Sequence, residues 1–248
     1  RKFLKMLLKL NRGTANCMVY GEVGRFSLAS RVEKRMINFW ARLIEGKKSK
    51  LSHSVYALLR KLHENCDFDS RWIMKVKGIL DKCGMSNIWV DNSQFSSVWL
   101  KSSLDLRLND IDRQNWSDEV YRNRLCFNYR IFKQELVLED YLLKLEAGDR
   151  ISLCKFRCGN HRLPVANCRY LPDQPMGVCP LCKITVQCDE FHYVLVCPIL
   201  NDIRTLYVKK CYYVRPDVLK FHQLFNATSV KQLKNLSKFC RIIMSKFS

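Results

Sequence analysis

Apolar residues recur at intervals of three and four over most of this chain, the spacing that lines one face of a helix. Ser30 and Glu33 stand at capping-box spacing ahead of Met36, Phe39, Trp40, Leu43 and Ile44, and Gly46 is placed to close that helix in a left-handed cap. Val55, Leu58, Leu59 and Leu62 predict a second helix; Trp72, Ile73, Val76, Ile79 and Leu80 predict a third, stopped at Gly84. From Asn92 to about Leu145 the pattern stays helical through Val98, Trp99, Leu104 and Leu108, then restarts at Ser117 before Val120, Tyr121 and Leu125. Asp149 is placed to cap a helix through Ile151, Leu153, Cys154 and Phe156. Gly159, Pro164, Pro172, Pro175 and Gly177 then break the regularity. Helical spacing returns near Ile199 through Leu206 and Tyr207, again over Val218–Phe225, and over Val230–Phe247 with Leu233, Leu236, Phe239 and Ile243 on one face.

Composition supports a mostly helical reading. Only 9 Gly and 6 Pro punctuate the 248 residues, and 48% hydrophobic residues suffice for a core. The five Trp residues, from Trp40 to Trp116, are expected in that core. No apolar run approaches the roughly 18 residues of a membrane span, and Arg1–Leu10, with Lys2, Lys5 and Lys9, has neither a spanning nor a signal-peptide pattern. No membrane partner is expected, and the absence of an initiator Met suggests a segment of a longer reading frame.

Charge narrows the partner class. The net charge is +20, and residues 151–248 hold 15 basic against 5 acidic residues. Such a field attracts polyanions, nucleic acid first among them. Thirteen Cys, an odd number without a secretory segment, point to a reducing compartment rather than to a disulfide framework; the expected location is intracellular, in nucleus and cytoplasm. Cys17, Cys66, Cys83, Cys126, Cys211 and Cys240 are expected as buried thiols.

Four residues stand apart as ligands. Cys179-Pro-Leu-Cys182 sets two thiolates on one tight turn; nine residues later comes His192, and five positions on, Cys197. Three soft donors and an imidazole suit a tetrahedral zinc ion with a closed shell, hence a structural site. Cys188 and Cys168 lie near enough to compete, and His192 against Cys188 is the weakest assignment. Around the loop stand Lys155, Arg157, His161, Arg162, Arg169, Lys183, Arg204, Lys209 and Lys210, with Tyr170, Phe191 and Tyr193 interleaved: cations for phosphates and rings for bases, though Tyr193 is expected in the core. The expected architecture is a helical region at 1–146, then a basic region at 147–248 with a small zinc-stapled hairpin/helix element and C-terminal helices.

Catalytic patterns are missing. There is no Asp-Asp dipeptide for a two-metal centre, no Gly-x-Ser-x-Gly and no P-loop. The pairs Asp67/Asp69 and Asp110/Asp112 are read as helix caps, and no acid follows Asp217 to complete a nuclease motif begun by Pro216-Asp217. The chain is therefore expected not to be an enzyme.

Four strings in order, Tyr20-Gly21-Glu22-Val23-Gly24-Arg25-Phe26, Arg35-Met36-Ile37-Asn38-Phe39-Trp40, Phe156-Arg157-Cys158-Gly159-Asn160-His161-Arg162-Leu163-Pro164, and Cys179-Pro180-Leu181-Cys182 through Asp189-Glu190-Phe191-His192 to Cys197-Pro198, resemble the region downstream of the reverse transcriptase in non-LTR (LINE-like) retrotransposon polyproteins. The resemblance spans roughly Tyr20 to Tyr207. It implies a Cys-Cys-His-Cys zinc motif at Cys179, Cys182, His192 and Cys197 that helps an upstream polymerase domain hold template RNA or target DNA. Cys168, where a small residue is expected, and the extra thiol Cys188 depart from the pattern. The competing reading is a zinc-stabilised protein-interaction module from a degenerate or co-opted element.

Overall fold

The computed structural model describes residues 2–46, 50–66, 68–91, 95–165 and 177–247. Cys168, Arg169, Tyr170, Pro172 and Pro175, and Asp67 among the capping candidates, lie outside them. The protein is mostly α-helical, with single β-bridges and no longer strand among the described residues. No described helix is long and apolar enough to cross a membrane.

The chain divides into two compact units, one discontinuous in sequence (1–25 with 115–248) and one inserted within it (26–114). The expected helical region at 1–146 and the basic region at 147–248 both contribute residues to the discontinuous unit.

The inserted unit is built from α3 (Leu28–Glu45), α4 (Leu51–Asn65), α5 (Arg71–Lys82), α6 (Ser86–Asp91) and the first part of α7 (Ser97–Arg122). Their periodic apolar faces meet at Ile37, Trp40, Tyr56, Ile73, Val76, Leu80, Leu100, Leu104 and Leu108. The buried Trp40 indole donates to the Tyr56 hydroxyl at 3.0 Å, so neither polar atom is stranded. Gly84 ends the third predicted helix at φ +69°, where a side chain would be strained.

Several cap assignments move. Ser27, not Ser30, caps α3 by accepting from the Ser30 N–H, while the Ser30 hydroxyl donates to Asp112 at 2.8 Å. Asp112 lies inside α7 and caps a helix remote in sequence, also accepting from the Ser27 N–H. Gly46 has extended backbone rather than a left-handed cap. Ser117 starts nothing: α7 is continuous, because no Gly or Pro interrupts it and buried Leu100, Leu104, Leu108, Trp116 and Val120 hold it along its length. Trp99 is half exposed, and Cys66 and Cys211 are exposed rather than buried.

The discontinuous unit begins with α1 (Lys2–Leu7) and α2 (Asn16–Glu22). It resumes with the end of α7, α8 (Tyr129–Phe132), α9 (Tyr141–Lys144), α10 (Ala147–Arg157), α11 (Asn201–Tyr207), α12 (Lys210–Tyr213), α13 (Val218–Phe225) and α14 (Val230–Ser245). Phe132, Phe156, Phe221 and Phe225 form a stacked and edge-on aromatic core. Asp149 lies in the first turn of α10 rather than capping it, and is buried against α14, accepting from Ser237 and Arg241. Asp217 caps α13 through the Lys220 N–H, a structural use for the Pro-Asp pair.

Three positions of the string around Glu22 have a packing reason. A Cβ on Gly21 would sit 2.4 Å from the Tyr129 hydroxyl; Gly24 has φ +58°, and a Cβ there would meet the Leu138 backbone. Between them Glu22 is fully buried, accepting from Arg157 Nε and from the Tyr141 hydroxyl. Arg157 also pairs with Glu139 at 2.8 Å, and Glu139 in turn with Lys133. Two carboxylates and two cations thus close a buried network that fixes α2 to α10.

Candidate metal centre

The loop that carries the first two ligands is a tight hairpin. Val178 bridges Thr185, the Cys179 N–H donates to the Ile184 carbonyl at 2.9 Å, and the Lys183 N–H donates back to Cys179 at 2.8 Å. Lys183 closes the turn at φ +62°, a conformation that suits glycine. We expect Lys183→Gly to stabilise the loop by at most about 1 kcal/mol, relief of the left-handed strain being partly offset by the added freedom of the unfolded chain. Tighter metal retention against a chelator is the readout, and Lys183→Val should loosen it.

The second pair of ligands sits on a widened helical turn, His192–Val196. In an ordinary α-helix, residues five apart point about 140° away from each other. Here the Cys197 N–H bonds the His192 carbonyl at 2.7 Å, an i→i+5 closure that brings both side chains to one side. Carbonyls of the widened turn are also bonded by Arg204 of α11. Its buried guanidinium donates to the carbonyls of Val194 and Cys197, each at 2.8 Å, and reaches Tyr193 at 3.5 Å.

Cys179, Cys182, His192 and Cys197 converge, their ligand atoms all within 4.8 Å of one another, and form a group able to hold a metal ion. Cys182 Sγ lies 3.6 Å from His192 Nε2, close to the roughly 3.5 Å between sulfur and nitrogen in a tetrahedral centre with bonds of about 2.3 and 2.0 Å. The Tyr193 hydroxyl, 3.7 Å from Cys179 Sγ, stands behind that ligand. Burial, with the Arg204 charge adding to it, lowers the His192 pKa and favours the neutral, ligating imidazole. The Cys197 thiol is pushed up to about 12 by burial, so without metal it is protonated near neutrality and a metal ion must displace that proton. For Cys179 burial acts upward, but N–H groups of Cys182 and Leu181 and the Tyr193 hydroxyl outweigh it and leave the thiol lowered.

Cys188 lies outside the quartet. Its buried thiol is directed to the carbonyls of Gly177 and Val186, each at 3.5 Å.

No family model, curated protein or solved structure matches this chain.

Behind the metal loop lies a second buried network. The Asn128 amide donates to Asp189 at 3.1 Å and Glu190 at 2.6 Å, and His161 Nε2 meets Glu190 at 2.8 Å. Asp189 also accepts from the His192 N–H at 2.9 Å, anchoring the start of the ligand-bearing turn. Because His161 Nδ1 accepts from the Leu163 N–H, its proton is on Nε2, pointing at the carboxylate.

Three expected phosphate contacts therefore belong elsewhere. Arg157, His161 and Arg204 have buried side chains committed to Glu22 and Glu139, to Glu190, and to the carbonyls of the widened turn. A cation within a basic segment looks like a surface group; what recruits Arg157 inward is a pair of carboxylates remote in the chain. Arg162, Lys183, Lys209 and Lys210 are exposed, and Lys155 is half-buried. Tyr193 is in the core, as its sequence context suggested.

Proposed function

We propose that this chain is a non-catalytic nucleic-acid-binding segment, tied by a structural zinc ion, of the kind found downstream of the reverse transcriptase in LINE-like polyproteins. What supports the reading most is how burial sorts the charges of the last hundred residues. Among the described residues from 151 on, nine cations are exposed against two exposed carboxylates, Asp202 and Asp217; Asp189 and Glu190 are buried. A cationic surface of that balance binds phosphates with little need for sequence readout. Zinc is favoured by the donor set, three sulfurs and one imidazole nitrogen filling a tetrahedral shell and leaving no position for a reactive water.

Binding of single-stranded RNA or DNA should weaken steeply with salt. Neutralising Lys155, Arg162 and Lys183 together should reduce the slope of log affinity against log salt by up to about 2, at about 0.7 per contact. Titration of a labelled oligonucleotide at several salt concentrations measures it. An upstream reading frame encoding Phe/Tyr-x-Asp-Asp would support the retrotransposon origin.

One observation favours an interaction module instead. Leu51, Val55 and Leu58 lie along one exposed face of α4, the first 80% exposed. A partner held there would bind with little salt dependence. No binding to nucleic acid at low salt would leave that reading in possession.

A further inference from the structure

In the discontinuous unit, a cavity of about 290 Å³ opens where the end of α11 and the segment after it meet the start of α14. Tyr207, Lys209, Tyr212, Lys231, Gln232 and Asn235 contribute to its lining, and no carboxylate does. Neither lysine has an ion-pair partner among the described residues. The Tyr207 ring lies parallel to buried Phe239, centroids 6.4 Å apart, which holds that wall in place. The volume sits at the lower edge of the roughly 300–1,000 Å³ typical of ligand pockets, room for one nucleotide and not for a dinucleotide cofactor.

We propose that this cavity is a nucleotide subsite, taking one base and its phosphate from a single-stranded nucleic acid. The proposal deepens the nucleic-acid reading and rests on it. Tyrosine faces stack bases of any sequence, the amides of Gln232 and Asn235 can meet a base edge, and Lys209 and Lys231 hold the phosphate. The rest of the strand has a path. Lys231 and Lys238, at i and i+7, are exposed on the face of α14 turned away from buried Leu233, Leu236 and Ile243, with Lys234 and Arg241, paired to Glu146 and Asp149, at its margin. The free amides of the first turn of α14, where the Ser229 side chain makes no capping bond, add to the same positive potential.

The test uses the full, metal-loaded chain and a labelled ten-nucleotide oligouridylate at low salt, with uridine monophosphate as competitor. Tyr212→Ala should weaken binding about tenfold, while Tyr212→Phe, which keeps the ring, stays within about twofold of the parent. Lys209→Gln with Lys231→Gln should lower the salt slope by about 1.4, two contacts at about 0.7 each. The mononucleotide should compete for the parent and lose that effect on the double-lysine variant. If the parent binds the oligonucleotide but both sets of variants bind like it, the cavity is not the subsite and the broader reading stands. If the parent does not bind at all, both fall. Should circular dichroism show Tyr212→Ala unfolded, the exposed-lysine variant and the competition decide the matter alone.

Discussion

Arg157→Met should destabilise the discontinuous unit by about 3–5 kcal/mol, because it leaves Glu22 and Glu139 facing each other in the interior without the cation between them. Methionine restores most of the packing against Phe132 and Tyr141, over whose rings the guanidinium lies, so the deficit is electrostatic more than steric. Its pH dependence has a definite sign. Burial raises the Glu22 pKa above the ordinary carboxylate value even with Arg157 drawing it down. A raised folded-state pKa contributes stability that is present below the unfolded value and lost as pH rises through the folded one. Removing Arg157 raises it further, so the variant's deficit should shrink as pH falls into the acid range and Glu22→Gln should rescue part of it at neutrality. Urea unfolding of the parent, both single variants and the double variant across pH measures all three effects. A loss under 1 kcal/mol for Arg157→Met would mean that the network is hydrated in solution.

The second large effect concerns the metal. Protein purified without chelators should carry one zinc ion, and His192→Ala should weaken retention by about 100-fold or more, beyond the 10–100-fold that loss of an outer partner costs. Cys188→Ala should leave retention unchanged, since that thiol, although it neighbours Cys179, donates to the Gly177 and Val186 carbonyls and is not among the four converging ligands. Chelation should disorder the hairpin around Val178–Thr185 and the widened turn, while the inserted unit, which has its own core, keeps its helices. Elemental analysis, competition with a chelator and hydrogen exchange read these out. A zinc-free parent, or release from Cys188→Ala but not from His192→Ala, overturns the assignment.

What could be seen in the chain itself follows from the range of the forces involved. The metal quartet was legible from spacing, two thiols on one Cys-x2-Cys turn followed by His192 and Cys197, although the same nineteen residues hold a fifth soft donor, Cys188, that spacing alone did not set aside. The helices at 51–65, 71–82, 218–225 and 230–245 were legible because each buries a face set by its own period. Ser30 and Ser117 misled because a cap is chosen by what lies opposite. Asp112, 82 residues from Ser30, decides the first, and buried side chains on both sides of Ser117 override the second. Arg157 and Arg204 misled for the same reason: a guanidinium goes inside only where remote carboxylates or freed carbonyls receive it, and no local window contains them.

Glu22 and Arg157 are 135 residues apart in the chain. During synthesis at about 5–20 residues per second, the carboxylate emerges some 7–27 s before its partner exists. The inserted unit is complete in that interval, its own contacts all lying between 26 and 114. The buried side of α2 lacks its partners within this unit until the chain beyond 115 arrives to supply them. The fold therefore has an assembly order written into its connectivity, with the inserted helices first and the charged seam of the larger unit sealed afterwards.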